Sequence, residues 1–316
     1  MLSSLRIGRE NSHNEGERAF KGLIMLFSLI VLVIGGLVVY ELVSASDLSF
    51  KKFGFGFLLG TQWDPVQEVF GALPFIWGTF YTSTLALLLA LPVSLGIAIF
   101  LTELAPGWLR QPIGFVIELL AAIPSLVYGI WGLFVLAPIF QTYVEPFLGR
   151  FSFLPFFTGY PLGLGILTAS VIVAGMIVPT ISAISREVMY TVPDSQREGG
   201  LALGMTRWEV VSKVVVPYSR SGILGAVILG YGRALGETMA VTMVIGNTPK
   251  ISLSLFEPGY TISSALANEF AEAVSKMHVS ALVELGLILF FISIIINTFA
   301  KLLLWRMNRG MKVSGV

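Results

Sequence analysis

The chain has no cysteine among its 316 residues and only two histidines, His13 and His278. Without cysteine there is no disulfide framework, no thiolate metal site and no thiol nucleophile. One histidine falls in a polar N-terminal stretch and the other in a stretch that reads as a polar loop, so a histidine-based catalytic or metal cluster is excluded. Charge is also scarce. Charged residues make up 12% of the chain, against about 25% in a soluble domain. A chain this long with so few charges cannot cover a water-facing surface, and its apolar content is too high for disorder. The net charge of +1 lacks the basic excess of a nucleic-acid-binding protein. No Gly-x-x-x-x-Gly-Lys-Ser/Thr occurs, so the chain has no P-loop for ATP.

Long apolar runs take the place of charge. A membrane helix needs about 20 mostly apolar residues, and six stretches qualify, at about 22–42, 75–101, 113–140, 162–182, 221–245 and 279–304. None alternates as a barrel strand does, and only helices and closed barrels satisfy the backbone in lipid. The first run is longer than the about 7–15 residues of a signal-peptide core, so it is expected to be retained. The expectation is an all-α, polytopic, single-domain membrane protein over 1–316, with an N-terminal tail at 1–21. Of the twenty lysines and arginines, fourteen fall in the N-terminal tail, the 2–3 loop, the 4–5 segment and the C-terminal end, and five in the other loops. The positive-inside rule then puts both termini in the cytoplasm.

Four charged residues fall inside the runs and clear of the four positions at either end: Glu118, Arg233, Glu237 and Glu284. Glu118 and Glu284 stand near span ends, within reach of an interface or a polar neighbour. Arg233 and Glu237 stand near the middle of span five, where a lone charge costs at least about 2.5–3.5 kcal/mol. At spacing i, i+4 they are expected to share a helical face and to be able to pair, although Arg before Glu is the less favourable order. Beside them Gly225, Gly232 and Gly236 form a smooth stripe for close helix packing, so span five reads as a central helix. The arginine fork suits an oxyanion. Two roles stay open for the pair, a substrate path and a buried lock between subunits.

The segment between spans four and five carries two helix starts. Thr191-Val192-Pro193-Asp194 reads as a capping box with Thr191 as N-cap, and Thr206-Arg207-Trp208-Glu209 repeats it. Gly204 is placed to end the first helix and Pro217 to limit the second. The pattern predicts two short exposed helices at an angle, needing a partner surface.

These residues carry a resemblance. Glu198-Gly199-Gly200, three residues, Gly204, nine residues, Val214, one residue and Val216-Pro217 resembles the cytoplasmic loop of ATP-binding-cassette (ABC) importer permeases. That loop reads Glu-Ala-Ala, three residues, Gly, nine residues, Ile, one residue, Leu-Pro. The chain departs in having Gly for both Ala and Val for Ile and Leu. Residues 64–77, 94–106 and 123–129, and above all Gly232-Arg233-Ala234-Leu235-Gly236-Glu237-Thr238-Met239-Ala240-Val241, are similar to phosphate-specific importer permeases, of the C-type rather than the A-type. The similarity covers roughly 60–310 and is loose in the first span and the tail.

The resemblance implies a type I importer permease in a bacterial or archaeal (inner) membrane. Glu198, Gly199, Gly200, Gly204 and Pro217 would couple it to an ATP-binding subunit dimer, and Arg233 and Glu237 would line the substrate path. The implied partners are a second, A-type permease and an external phosphate-binding protein. ATP and magnesium would sit on the ATPase, with no catalytic residue, metal or cofactor on this chain. The alternatives are a permease for another oxyanion such as sulfate or molybdate, a non-transporting scaffold or phosphate-sensing subunit, and an ion-coupled secondary transporter in which Arg233, Glu237 and Glu118 relay protons.

Overall fold

A computed structural model describes residues 3–309. Among the described residues, six helices are long and apolar enough to cross a membrane: Phe20–Ala45, Leu73–Leu104, Ser125–Phe151, Ile166–Tyr190, Arg207–Leu235 and Lys276–Met307. They are spans one to six. The helix carrying span one starts at Ser3, so the expected tail is helical where it is described. Arg6, Arg9, His13, Arg18 and Arg309 lie outside the described side chains, and Lys312 lies outside the described residues.

Two runs expected to be continuous are broken. The third divides at Ile123–Pro124 into helices Gly107–Ala122 and Ser125–Trp131, the latter continuing as span three. Pro124 pushes the residue before it out of the helical region, and Ile123 takes φ −65°, ψ 127°. The fifth run ends at Leu235 and restarts as a short helix, Met239–Val244. Upstream, Pro217 does not limit the second short helix. Arg207–Val210 passes through a widened turn at Val211–Val215 into Val216–Leu235. A π-type turn frees the room and the carbonyl that a proline inside a helix requires.

Span four is the central helix. It packs on spans two and five, and Ile172, Val173, Met176, Ile177 and Ile181 anchor the main core. Span five, expected at the centre, keeps one face open. Its packing glycines also differ from the expected stripe. A Cβ on Gly222 would stand 2.3 Å from Val188, and one on Gly230 would stand 2.6 Å from Ile181. Among the described residues, Gly225 and Gly232 have nothing within 4 Å of such a Cβ, and Gly236 meets only backbone at 3.8 Å. Periodicity cannot tell which glycine stripe meets this chain and which is left for something else.

At the opposite end from residues 191–206, the stretch after span one folds into helices Asp47–Phe53 and Gly56–Leu59 and a two-stranded hairpin, Trp63–Asp64 with Val69–Phe70. Phe57, Phe70, Phe75 and Tyr260 bury themselves against Ala281, Leu282 and Leu285 of span six. His278 is not in a polar loop. It is 7% exposed in the first turn of the span-six helix, stacked on Phe70 and bonded through Nε2 to Glu269 at 3.0 Å. Trp63 Nε1 donates to the same carboxylate at 2.8 Å. Gly78 lets span two touch the Tyr260 backbone, since a Cβ there would stand 2.1 Å from the carbonyl.

Overpacking a fitted contact costs about 1–3 kcal/mol. Gly230→Val is therefore expected to lower the unfolding midpoint of the detergent-purified chain by several degrees, and Gly225→Val to leave it in place. A thermal melt followed by size-exclusion fluorescence reads both.

Candidate functional site

Arg233 lies in the last turn of helix Val216–Leu235, where its cation complements the carbonyl end of the helix. Its Nη1 donates to Thr180 Oγ1 of span four at 3.1 Å. Among the described residues it has no carboxylate partner. The guanidinium opens into a cavity of about 460 Å³ that Thr180, Gly232, Ser293 and Asn297 also line. The expected pairing with Glu237 is not formed, because the helix ends at Leu235 and the i, i+4 register ends with it. Glu237 instead turns its Oε1 toward the Ala240 N–H at a long 3.5 Å, while its carbonyl accepts from Ser263 Oγ at 2.7 Å. An arginine fork with a neutral hydroxyl beside it has the donors to hold an oxyanion weakly and exchangeably.

The break is held from behind. The short helix Met239–Val244 packs on Ser125–Trp131, the helix that follows the other break. Gly129 permits this, since a Cβ there would stand 3.1 Å from Ala240 Cα. Gly165 N–H donates to the Val244 carbonyl and Gly259 N–H to that of Ile245, both at 3.0 Å. Neither break was expected from the apolar runs. Pro124 was the available signal for the first, and the closely spaced Gly232 and Gly236 for the second.

Residues 191–217 fold as the expected pair with one shifted boundary. Thr191 is not an N-cap. It closes the span-four helix, donating from Oγ1 to the Val188 carbonyl at 2.8 Å, and Pro193 takes the N-cap position of helix Asp194–Ala202. Gly204 ends that helix at φ +83°, with Gly204 N–H to the Leu201 carbonyl and Met205 N–H to the Gly200 carbonyl. Those two bonds are a Schellman closure. Thr206 and Glu209 form the second capping box.

The motif residues divide into two groups. Glu198, Gly199 and Gly204 are exposed, and among the described residues no side chain would meet a Cβ on either of those glycines. Gly200 is buried: a Cβ would stand 3.0 Å from Val210 and 3.6 Å from Val214. It is where the two short helices press together. Leu203 and Trp208 are exposed apolar residues beside the open glycines in the chain, and Pro217 is exposed at the start of the long helix.

Sequence reasoning missed the residue that fastens the pair to the membrane helices. Arg197 sends Nη2 to Glu103 Oε1 at 3.0 Å and to the Met189 carbonyl at 3.0 Å, and Nη1 to the Val192 carbonyl at 2.5 Å. Glu103 ends span two and Met189 ends span four, so one guanidinium joins three elements. Both side chains are mostly buried, at 19% and 11% exposure. The signal was Glu103, a lone carboxylate just past the end of the second apolar run.

Glu118 finds a polar neighbour, with Arg186 Nη2 at 3.3 Å, and is tied to it rather than to the span-five residues. Glu284 is 2% exposed and one of its oxygens has no hydrogen-bond partner among the described residues. Glu145 is 1% exposed and receives the Gly163 N–H at 2.9 Å, a role the sequence did not announce. Outside the spans, Lys250 stands 2.9 Å from Glu257 and holds its carboxyl below the usual range. Among the described residues no group of three or more His, Asp or Glu side chains gathers to hold a metal.

Six spans, with an arginine open at a helix break and a helix pair exposed between spans four and five, define a polytopic membrane protein. A family model described as "Binding-protein-dependent transport system inner membrane component" matches residues 92–312, and the chain belongs to that family of multi-pass inner-membrane proteins. Among curated proteins it is similar to the phosphate transport system permease protein PstC of Haemophilus influenzae, 49% identical over 93% of this chain and 94% of that protein. The PstC of Mesorhizobium japonicum is 51% identical over 89% and 88%. A probable PstC of Methanocaldococcus jannaschii is 39% identical over 87% and 88%. Among solved structures, an inward facing MetNI methionine ABC transporter aligns with TM-score 0.59 at 14% identity, over 78% of this chain and 99% of that one. A bacterial ABC transporter involved in import of the acidic polysaccharide alginate aligns with TM-score 0.59 at 16% identity, over 89% and 95%. At these identities the structures establish the shared fold.

Breaking a buried pair costs about 3–5 kcal/mol, less here because both groups keep some exposure. Arg197→Ala is expected to cost about 2–3 kcal/mol locally and to make the 191–206 segment cleavable by protease in folded protein. The double exchange Arg197→Glu with Glu103→Arg restores part of the resistance if the pair is the fastener.

Proposed function

We propose that this chain is a membrane permease subunit of an ATP-driven importer of inorganic phosphate, forming half of the translocation path with a second, A-type permease. The observation that carries the reading is the open, carboxylate-free Arg233 at the helix break. The relatives' role in phosphate transport gives the substrate, and the arginine gives the chemistry an oxyanion needs. The unfilled stripe at Gly225, Gly232 and Gly236 beside Arg233 supports a second membrane chain closing this face.

The cation distribution favours both termini and residues 191–217 on the cytoplasmic side. There Glu198, Gly199 and Gly204, with Leu203 and Trp208, would meet an ATP-binding subunit dimer that carries ATP and magnesium. Gly200 serves from inside, keeping the pair a rigid unit. An external phosphate-binding protein would deliver substrate at the opposite face. ATP-driven closure of the ATPase would move the helix pair as a body. The motion would pass through Arg197 to spans two and four, and through the unbroken helix from Arg207 to Leu235 to Arg233. Glu237 acts at the path by bracing the break rather than by neutralising the arginine.

Arg233→Ala is expected to lower phosphate uptake by the assembled complex in proteoliposomes at least about 100-fold, consistent with loss of a charge-assisted contact of some 3 kcal/mol, while the subunits still co-purify. Normal uptake in that variant removes Arg233 from the path. Gly199→Trp is expected to leave the chain folded but abolish ATP-driven uptake. Gly200→Trp acts differently, by splitting the helix pair and lowering thermal stability. Uptake unaffected by Gly199→Trp would move the ATPase contact elsewhere.

A further inference from the structure

Span six carries a polar stripe that the apolar-run reading passed over. Ser293, Asn297 and Lys301 stand four residues apart, which aligns them on one helical face. Two cavities meet on this stripe. The one that holds Arg233 and Thr180, of about 460 Å³, is lined by Ser293 and Asn297. The next, of about 400 Å³, is lined by the same Ser293 and Asn297 and by Thr298 and Lys301. The two cavities therefore share a wall and carry a cation at each end.

The donor inventory of this groove points one way. Neither lining includes a carboxylate. Lys301 has no ion pair among the described residues. Thr180 accepts from Arg233 and keeps its own hydroxyl proton to give. Asn297 spends one amide proton on the Ser293 carbonyl at 2.9 Å, which fixes the side chain and leaves the second proton free. Ser293 donates to the Leu289 carbonyl at 2.9 Å. A groove with two cations and spare neutral donors, and no negative group, suits an oxyanion and repels a metal cation. Lys301 stands about 6 Å beyond Asn297 along the helix, toward the end of span six that neighbours the start of span five.

We infer that Asn297 and Lys301 form a second phosphate station, to which the anion passes from Arg233 along the Ser293–Asn297 wall. This rests on the reading of Arg233 as part of the path. Two weak stations in series permit passage, where a single site strong enough to capture the ion would also hold it. Asn297 positions the anion by its free amide proton, and Lys301 supplies the charge that draws it onward. The competing role for Lys301 is a lysine near a span end that snorkels to lipid headgroups.

Because the chain has no native cysteine, a single introduced thiol reports its own environment. The test uses the complete complex in proteoliposomes with inorganic phosphate as probe. Lys301→Gln is expected to lower the maximal uptake rate about 5–10-fold, with Lys301→Arg near normal. Asn297→Cys and Lys301→Cys are expected to react with a small anionic methanethiosulfonate, and phosphate to slow that reaction about three-fold or more. The control is Phe299→Cys, two residues on and about 200° round the helix, whose labelling phosphate leaves unchanged.

Normal uptake by Lys301→Gln overturns the inference. So does labelling at both positions that ignores phosphate, whatever the uptake, because it leaves Lys301 a headgroup anchor. Arg233→Ala, run alongside, separates the two readings. If it abolishes uptake while Lys301→Gln transports normally, the second station is wrong and the path through Arg233 stands. If it transports normally, the path and the second station fall together.

Discussion

In hydrocarbon every backbone N–H and carbonyl must find a partner inside the protein, and the two interrupted helices of this chain are organised around that demand. Ending a helix at Leu235, in the middle of a run that could have continued to Ile245, strands carbonyls at one side of the break and N–H groups at the other. The structure meets the cost with Ser263 on the Glu237 carbonyl, Gly259 and Gly165 on the far end of Met239–Val244, and Glu237 across the near end. Those bonds let Arg233 sit at a helix terminus instead of along a continuous helical face. Without the break, Glu237 would lie one turn above Arg233 and quench its charge. Broken helices at mid-membrane sites are a general transporter device, and here the break acts by keeping a carboxylate away from a cation.

Rigidity is arranged to match. The motif at 198–217 reads as one docking surface in sequence but divides in space. Gly200, Val210 and Val214 hold the two short helices against each other, and the same cluster reaches Ala98, Met189 and Val192 at the ends of spans two and four. Arg197 adds a charged fastening to those ends. Glu198, Gly199 and Gly204 face outward from a platform that the buried residues stiffen. The widened turn at Val211–Val215 passes the helix by Pro217 without interruption, so under the proposed mechanism a push on the platform would reach Arg233 as motion of one rod.

Much of this was legible from residue order. The six apolar runs, the closure at Gly204 and the Thr206–Glu209 box follow from length and capping chemistry acting locally. The breaks were not legible from hydropathy, which is blind to backbone hydrogen bonding, although Pro124 and the closely spaced Gly232 and Gly236 stand beside them. Nor was the partnering of Glu103, Glu145 and Glu269, whose ligands Arg197, Gly163 and Trp63 with His278 stand 9 to 206 residues away in the chain. The glycine stripes show the limit most clearly. Gly222 and Gly230 meet span four while Gly225 and Gly232 meet nothing, and no one-dimensional pattern separates them.

The central claim is that the face carrying Arg233 and the open glycines is completed by a second membrane chain. A photo-crosslinking amino acid in place of Leu229, which is 57% exposed and lines the arginine cavity, tests it directly in native membranes. The account predicts one dominant adduct, identified by mass spectrometry as a second six-span permease, formed from the span of that partner that faces Arg233. Adducts only to lipid, or only to another copy of this chain, would contradict it and leave Arg233 outside any path shared between two permeases.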